Sequence, residues 1–340
     1  MYKVGVIGLG AIAEGYGSPE DPNSYCHVGG ILNSDRVQLA AVADLDAARC
    51  DNFKTKWGAG FPDTKYYDSS QALLDSGECD IIAVCVRGPH HFSVMQDVIA
   101  AAPKAVFLEK PPTCSLAEMD EMVAAAKAKS VPITVSYSRH WAPHVLRLQE
   151  LVQSGFIGEV QMVVGYTGHS FLSFASHTTD LICQFAGYCP KAVYARGTVE
   201  GEVPAGFEPE PSVTQMTIEF ENGVTGVQIG VHGEHGGFYC DVIGTEGLVR
   251  AGIYIPPFAW KKEGGVVDCA TLDMPANASV FTVAYKQIAD HLDGGPLPHC
   301  TNDDFIAVHE VGFAGIESVH RNERLTLPNI HRDRKVFANG

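Results

Sequence analysis

Positive charge is scarce in this 340-residue chain: 24 lysines and arginines face 40 aspartates and glutamates, for a formal net charge of −16. Such a surface repels phosphate backbones and anionic headgroups, which argues against nucleic acid and the membrane surface as partners. Long apolar runs are missing too, with nothing near the roughly 18 residues that a spanning helix needs. The apolar start MYKVGVIGLG carries a lysine, lacks an A-x-A cleavage site and runs straight into a glycine pattern. It reads as a strand and not a signal peptide, so the expected location is cytoplasmic. Ten cysteines form no CxxC pair and no regular spacing, as expected of reduced, mostly buried thiols. Cys26, beside His27, has a basic neighbour in sequence that could favour a thiolate.

With 46% apolar and 19% charged residues the composition is that of an ordinary globular protein, and the length favours two domains. The stretch that organises the first of them is VFLEKPP, from Val106 to Pro112. Val106, Phe107 and Leu108 suit a strand buried on both faces of a parallel sheet. Glu109, Lys110 and Pro111 then stand at its carboxyl end, where open α/β sheets bind ligands, and an ammonium there can bond a substrate oxygen.

Near the start, the strand Lys3 to Ile7 runs into Gly8-Leu9-Gly10-Ala11-Ile12-Ala13, a G-x-G-x-x-A turn whose Ala11 to Glu14 can open a helix. The first glycine permits the tight turn, the second lets backbone approach a pyrophosphate, and Ala13 lets the helix lie close to the strand. A second apolar strand, VQLAAVA, ends in Asp44, whose carboxylate suits both hydroxyls of an adenosine ribose and repels a 2′-phosphate. NAD is therefore favoured over NADP. Between the two, residues 15–30 are rich in Gly, Pro, Asn, Asp and Ser and read as a loop. Helices are expected over Ala47 to Trp57, Ser70 to Ser76, from the turn Gly88-Pro89-His90-His91 to about Ala102, and from the Ser115 capping box to Lys129. Strands are expected at Asp80 to Val86 and Ile133 to Tyr137. This alternation is the signature of a doubly wound parallel sheet.

The GxGxIA turn, the Asp closing the second strand, His91 ahead of the Glu109-Lys110-Pro111 phrase, and that phrase ending a strand together resemble the glucose-fructose oxidoreductase, inositol dehydrogenase and MocA family. The resemblance extends in outline over nearly the whole chain and implies a two-domain architecture. An α/β Rossmann domain (1–137) precedes an α+β domain (138–340) with a large, mostly antiparallel open sheet. It further implies that Gly8, Gly10, Ala11, Ile12, Ala13, Asp44, His91, Glu109 and Lys110 bind NAD, and that Lys110 and His177 are catalytic. Arg139, His140, Trp141, Ser173 and Asp180 are implied substrate contacts. An imidazole titrates near working pH and can exchange a proton with a hydroxyl during hydride transfer. In the family phrase D-x-x-x-H-x-x-D, His177 and Asp180 match, but Ser173 stands where the first aspartate is usual. Either Lys110 and His177 suffice, or another group such as His169 compensates, or the chemistry has changed.

Beyond residue 158 the strand-like runs VQMVVGYTG, KAVYARGTV, SVTQMTIEF, VTGVQIGVHG, GFYCDVIG and GLVRAGIY follow one another, with a hairpin turn at Glu221-Asn222-Gly223. Helical spacing returns at Phe281 to Leu292 and Asp303 to His320, and residues after about Pro328 read as a polar tail. The pairs His232/His235 and His140/His144 have spacings a metal could use, yet no Cys or carboxylate set completes either, so no metal is expected. The activity expected is hydride transfer between NAD and a secondary alcohol or ketone of a sugar, polyol or inositol-like molecule. Two other readings stay open: an NAD-dependent glycoside hydrolase of the same family, and a non-catalytic NAD-binding regulatory protein. A homodimer or homotetramer through the uncovered face of the second sheet is expected.

Overall fold

The computed structural model describes residues 1–230 and 237–339. The chain divides into two compact units: Met1–Thr113 with Glu118–Ser136 and Ala278–Asn302, and Cys114–Ala117 with Tyr137–Asn277 and Asp303–Gly340.

In chain order the first unit holds β1 (Tyr2–Ile7), α1 (His27–Leu32), β2 (Val37–Ala43), α2 (Ala47–Trp57), β3 (Lys65–Tyr67), α3 (Ser70–Asp75), β4 (Ile81–Val84), α4 (His91–Ala101), β5 (Ala105–Leu108), α5 (Leu116–Lys129) and β6 (Ile133–Val135). The strands form one parallel sheet in the order β3-β2-β1-β4-β5-β6. This is a doubly wound sheet whose order reverses between β1 and β4, the crevice where such folds bind ligands. Residues of β4 and β5 are buried throughout, as a strand covered on both faces requires. Asp46 caps α2 by accepting from Ala48 N at 3.0 Å, and Ser69 Oγ caps α3 by accepting from Ala72 N at 3.3 Å.

Two details differ from the sequence reading. Residues 65–67, which lie in none of the expected strands, pair with β2 as the edge strand β3. The helix expected from Ala11 is a single π-helical turn over Ala11–Gly15, and helix resumes only at α1, inside the stretch read as loop. The turn is pinned from α2, where Trp57 Nε1 donates to Glu14 Oε2 at 3.0 Å and Lys56 Nζ to the Glu14 carbonyl at 2.7 Å.

The second unit contains α6 (Pro143–Gln153), β7 (Val160–Tyr166), α7 (Ser176–Ala186), β8 (Pro190–Thr198), β9 (Ser212–Phe220), β10 (Thr225–Ile229), β11 (Tyr239–Gly244), β12 (Gly247–Gly252), β13 (Phe258–Lys261) and β14 (Gly265–Val267). The chain then returns to the first unit as α8 (Val280–Leu292) and ends in the second with α9 (Asp303–Arg321) and β15 (Leu325–Thr326). Nine strands pair in the order β14-β13-β12-β11-β7-β10-β9-β8-β15, antiparallel except for β10 beside β7. The hairpin between β9 and β10 turns on Gly223 at φ 87°. Every residue of α7 is buried, and it packs with α9 against this sheet. On β13, Phe258 and Trp260 flank the buried Ala259, and Val266 lies opposite Trp260, which leaves an exposed apolar row.

The chain ends are less separable than expected. Val336 and Ala338 are buried, and Val336 N donates to the Cys114 carbonyl at 2.9 Å, so the stretch read as a polar tail is a packed segment of the second unit. Arg334 pairs with Glu317 and Glu208, which accounts for its polar letters. Residues 278–302, which the sequence reading placed in the second domain, cluster instead with the first. The cause is α1: Ser279 Oγ donates to the Ser24 carbonyl at 2.6 Å, Thr282 Oγ1 to the Gly30 carbonyl at 3.0 Å, and Arg36 pairs with Asp290 and Asp293. Gly30 lets the helices touch, since a Cβ there would lie 2.8 Å from the Phe281 carbonyl carbon. Gly30→Ala should therefore destabilise the first unit by about 1–3 kcal/mol, read in thermal or denaturant unfolding; unchanged unfolding would contradict this packing.

Candidate active site

At the carboxyl edge of the parallel sheet, Gly8 adopts φ 90°, and a Cβ on it would come within 2.9 Å of the carbonyl of Cys85 and of Val86 N. Only glycine fits there on both counts. Asp44 closes the turn: Oδ2 accepts from Leu9 N at 2.7 Å and Oδ1 from Asp46 N at 2.9 Å. A carboxylate has about four lone-pair positions, so two remain for hydroxyl donors. Arg49 Nη1 stands 3.6 Å from Asp44. A Cβ on Gly10 would meet nothing within 4 Å, so the room beside its backbone is not taken by protein. Ala11 is exposed, Ile12 half-buried and Ala13 buried, which leaves the first turn accessible while its third residue packs inward. These residues fit the pyrophosphate and adenosine ribose of a dinucleotide.

His91 is placed differently from expectation. Fully buried, it sets Nδ1 2.6 Å from the Pro111 carbonyl and Nε2 2.8 Å from the Val86 carbonyl. Both ring nitrogens face backbone carbonyls, to one of which a neutral ring can donate, and the side chain braces the ends of β4 and β5. Burial pulls its pKa below the ordinary value, against the opposite pull of the two carbonyls. Glu109 is also interior: Oε1 lies 3.0 Å from His27 Nε2, and Oε2 accepts the backbone N–H of Lys110 at 3.3 Å. Burial pushes this carboxyl up, but the His27 hydrogen bond and the Lys110 charge outweigh it and hold the pKa below its usual value. Cys26, considered from sequence as a thiolate, is fully buried, its sulfur caps α1, and burial pushes the thiol up to about 11.

The second unit assembles its own constellation. Arg139 Nη1 donates to His177 Nε2 at 2.6 Å. A guanidinium offers no acceptor, so Nε2 receives and the ring proton is assigned to Nδ1. Arg139 also stacks over Phe238, 4.7 Å from the ring centroid, and reaches Tyr254 Oη at 3.5 Å. A hydroxyl handing its proton to Nε2 must first displace Nη1.

His140, Trp141 and Asp180, read as substrate contacts, are interior. His140 Nδ1 lies 3.1 Å from Asp180 Oδ2, and Tyr188 donates to Asp180 Oδ1 at 3.1 Å. This buried cluster fixes the first turns of α7. His144 Nε2 meets the Gly252 carbonyl at 2.9 Å, so the spacing His140/His144 does not converge on one point. The pair His232/His235 lies outside the described residues.

One acidic residue escaped the sequence reading. Ser173, where an aspartate is usual in the resembling family, donates from Oγ to Glu210 Oε2 at 2.5 Å and from its backbone to Glu210 Oε1 at 2.9 Å. Leu172 N donates to the same oxygen. A carboxylate is thus present at this position, delivered from the Pro-rich loop before β9. No spacing rule could have found it, since the partner is far along the chain and belongs to no motif.

Residues 2–137 match the family model described as "Oxidoreductase family, NAD-binding Rossmann fold". Myo-inositol 2-dehydrogenase of Thermotoga maritima is 25% identical over 239 residues, 66% of this chain and 67% of that protein. In the curated relatives the aligned segment spans about two thirds of their own length or less. Among solved structures, aldose-aldose oxidoreductase from Caulobacter crescentus complexed with glycerol superposes with a TM-score of 0.76 at 18% identity, covering 96% of this chain and 99% of that one. An oxidoreductase from Agrobacterium radiobacter in complex with NAD+, L-tartaric acid and magnesium gives 0.74 at 17% identity, covering 96% and 98%. At these identities the structures establish a common fold.

Proposed function

We propose that the chain is an NAD-dependent oxidoreductase of the glucose-fructose oxidoreductase, inositol dehydrogenase and MocA family, a reading supported by the match of residues 2–137 to a family model for an NAD-binding Rossmann fold. Its substrate is a secondary alcohol, or the matching ketone, of a sugar, polyol or inositol-like molecule. The observation that carries the reading is the carboxyl edge of the parallel sheet, where the Gly8 turn, the Asp44 carboxylate and the Glu109-Lys110 strand end come together. The names of the relatives, a myo-inositol 2-dehydrogenase and an aldose-aldose oxidoreductase, support the substrate class.

When bound, NAD supplies the hydride acceptor or donor. Gly8 to Ala13 hold the pyrophosphate, and Asp44 accepts from the adenosine ribose. Lys110 bonds the reacting oxygen from the end of β5. His177 Nε2 takes the hydroxyl proton as the alcohol is oxidised and returns it in the reverse direction. Ser173 is consistent with turnover, since Glu210 supplies a carboxylate to the segment just before His177. The exposed row of Phe258, Trp260 and Val266 on the second sheet supports a homodimer or homotetramer through that face. The acidic charge and the absence, among the described residues, of a helix long and apolar enough to cross a membrane fit a cytoplasmic enzyme with no nucleic-acid partner.

Two substitutions test this reading against NADH production from a panel of inositols, polyols and aldoses. Lys110→Ala should lower kcat by about 100-fold or more while NAD still binds; wild-type turnover in that variant removes Lys110 from the mechanism. Asp44→Ser, which leaves Arg49 in place for a 2′-phosphate, should raise the kcat/KM ratio of NADP to NAD by about tenfold or more. An unchanged ratio would show that Asp44 does not hold the ribose.

A further inference from the structure

We propose that His27, backed by Tyr285, is a positioning residue for the Glu109-Lys110 strand end: it keeps the Glu109 carboxylate ionised and turned toward the backbone of Lys110. The role of Lys110 is taken from the proposed function, whereas the state of Glu109 can be decided without it.

Three residues from separate parts of the chain form one buried line. Tyr285 Oη lies 2.8 Å from His27 Nδ1, His27 Nε2 lies 3.0 Å from Glu109 Oε1, and Glu109 Oε2 accepts from Lys110 N at 3.3 Å. His27 and Tyr285 are fully buried and Glu109 is 4% exposed. An ionised carboxylate can only accept, so the hydrogen of that contact sits on His27 Nε2. The imidazole is caged by rings, with centroids 4.7 Å from Phe107, 4.6 Å from Phe281 and 5.9 Å from Tyr285. The titratable groups near the line are the Cys26 and Cys85 thiols, which burial pushes up and keeps neutral, together with His91 and Lys110.

An apolar trio would fill this cage with less desolvation, since buried charge is retained at a cost. What the polar trio supplies is a fixed anion beside the lysine that β5 delivers to the sheet edge. Remove the imidazole donor and desolvation is left to dominate at Glu109, which raises its pKa. The carboxyl then takes a proton as pH falls, and Lys110 loses its negative neighbour. On this account the return of residues 278–302 to the first unit has a functional consequence, because α8 brings the hydroxyl that meets His27.

The test uses the full chain and three variants: His27→Phe, His27→Gln, whose amide can still donate to Glu109, and Tyr285→Phe. Infrared difference spectra of the protein without added nucleotide, with Glu109→Gln as reference, report the protonation of Glu109. The wild type should show an ionised carboxylate at pH 7, His27→Phe a protonated carboxyl, and His27→Gln the wild-type pattern. With NAD and a substrate from the panel, His27→Phe should lower kcat by about tenfold or more, the size of effect seen when an orienting partner is lost. Its NAD affinity should hold within a factor of about two, and the acid limb of kcat/KM should move up by about one pH unit or more. His27→Gln should recover most of both. If His27→Phe does not fold, Tyr285→Phe carries the test, with a smaller upward shift of the same limb and of the Glu109 titration in the infrared. Glu109 ionised at pH 7 in His27→Phe, or in its place a Glu109 titration in Tyr285→Phe equal to wild type, overturns the proposal. A wild type inactive on every substrate would count against the proposed function, and the infrared result would still decide the role of His27.

Discussion

The geometry of the nucleotide edge follows from one steric constraint, the room that residue 8 leaves for the backbone of Cys85 and Val86. With a side chain there, β1 could not turn over the end of β4. Because it can, a series of backbone hydrogen bonds continues past the strand ends: Gly8 N to Ala43 O at 2.8 Å, Cys85 N to Ile7 O at 2.8 Å, Glu109 N to Val84 O at 2.9 Å, and Ser136 N to Leu108 O at 2.8 Å. Each strand thus ends at a height set by its neighbour, and Asp44, Val86 and Lys110 leave the sheet along one edge. A site on such an edge inherits the rigidity of the sheet beneath it.

The two units handle polar groups in the same way. In the first, Glu109 and His91 look in sequence like groups that meet a ligand, yet both are interior and hold the segments that carry Lys110. In the second, Asp180 and His140 do likewise for α7, which carries His177. A reactive group supported by a buried polar partner is economical, because the partner fixes orientation without competing for the ligand. It also places the more strongly desolvated charges behind the site, where each has a neighbour of fitting chemistry.

Much of this was legible in the sequence because the first unit is built from local signals. The Gly8 turn, the Asp44 position and the short apolar strands each state their structure within a few residues, and the alternation of strand and helix leaves little choice of topology. What could not be read depends on distant partners. The return of residues 278–302 rests on Gly30 meeting Phe281, the packing of the C-terminal segment rests on Glu208, Glu310 and Glu317 meeting its arginines, and the carboxylate at Ser173 comes from Glu210. His91, Asp180, His140 and Trp141 were assigned by motif position, which says where a residue lies along an element but not which way its polar atoms are already committed. The short strands β3, β13, β14 and β15 lack the length that makes alternation visible.

The central proposal is that a dinucleotide lies on the Gly8 to Ala13 turn with Lys110 at its nicotinamide end. A crystal structure of the protein grown with NAD+ and a polyol tests this most directly. The account predicts the pyrophosphate over Gly10 and Ala11, the adenosine ribose hydroxyls on Asp44, and a substrate oxygen bonded by Lys110 Nζ with His177 in reach of the same hydroxyl. A nucleotide bound elsewhere, or bound there with Lys110 and His177 both remote from the nicotinamide ring, would contradict it.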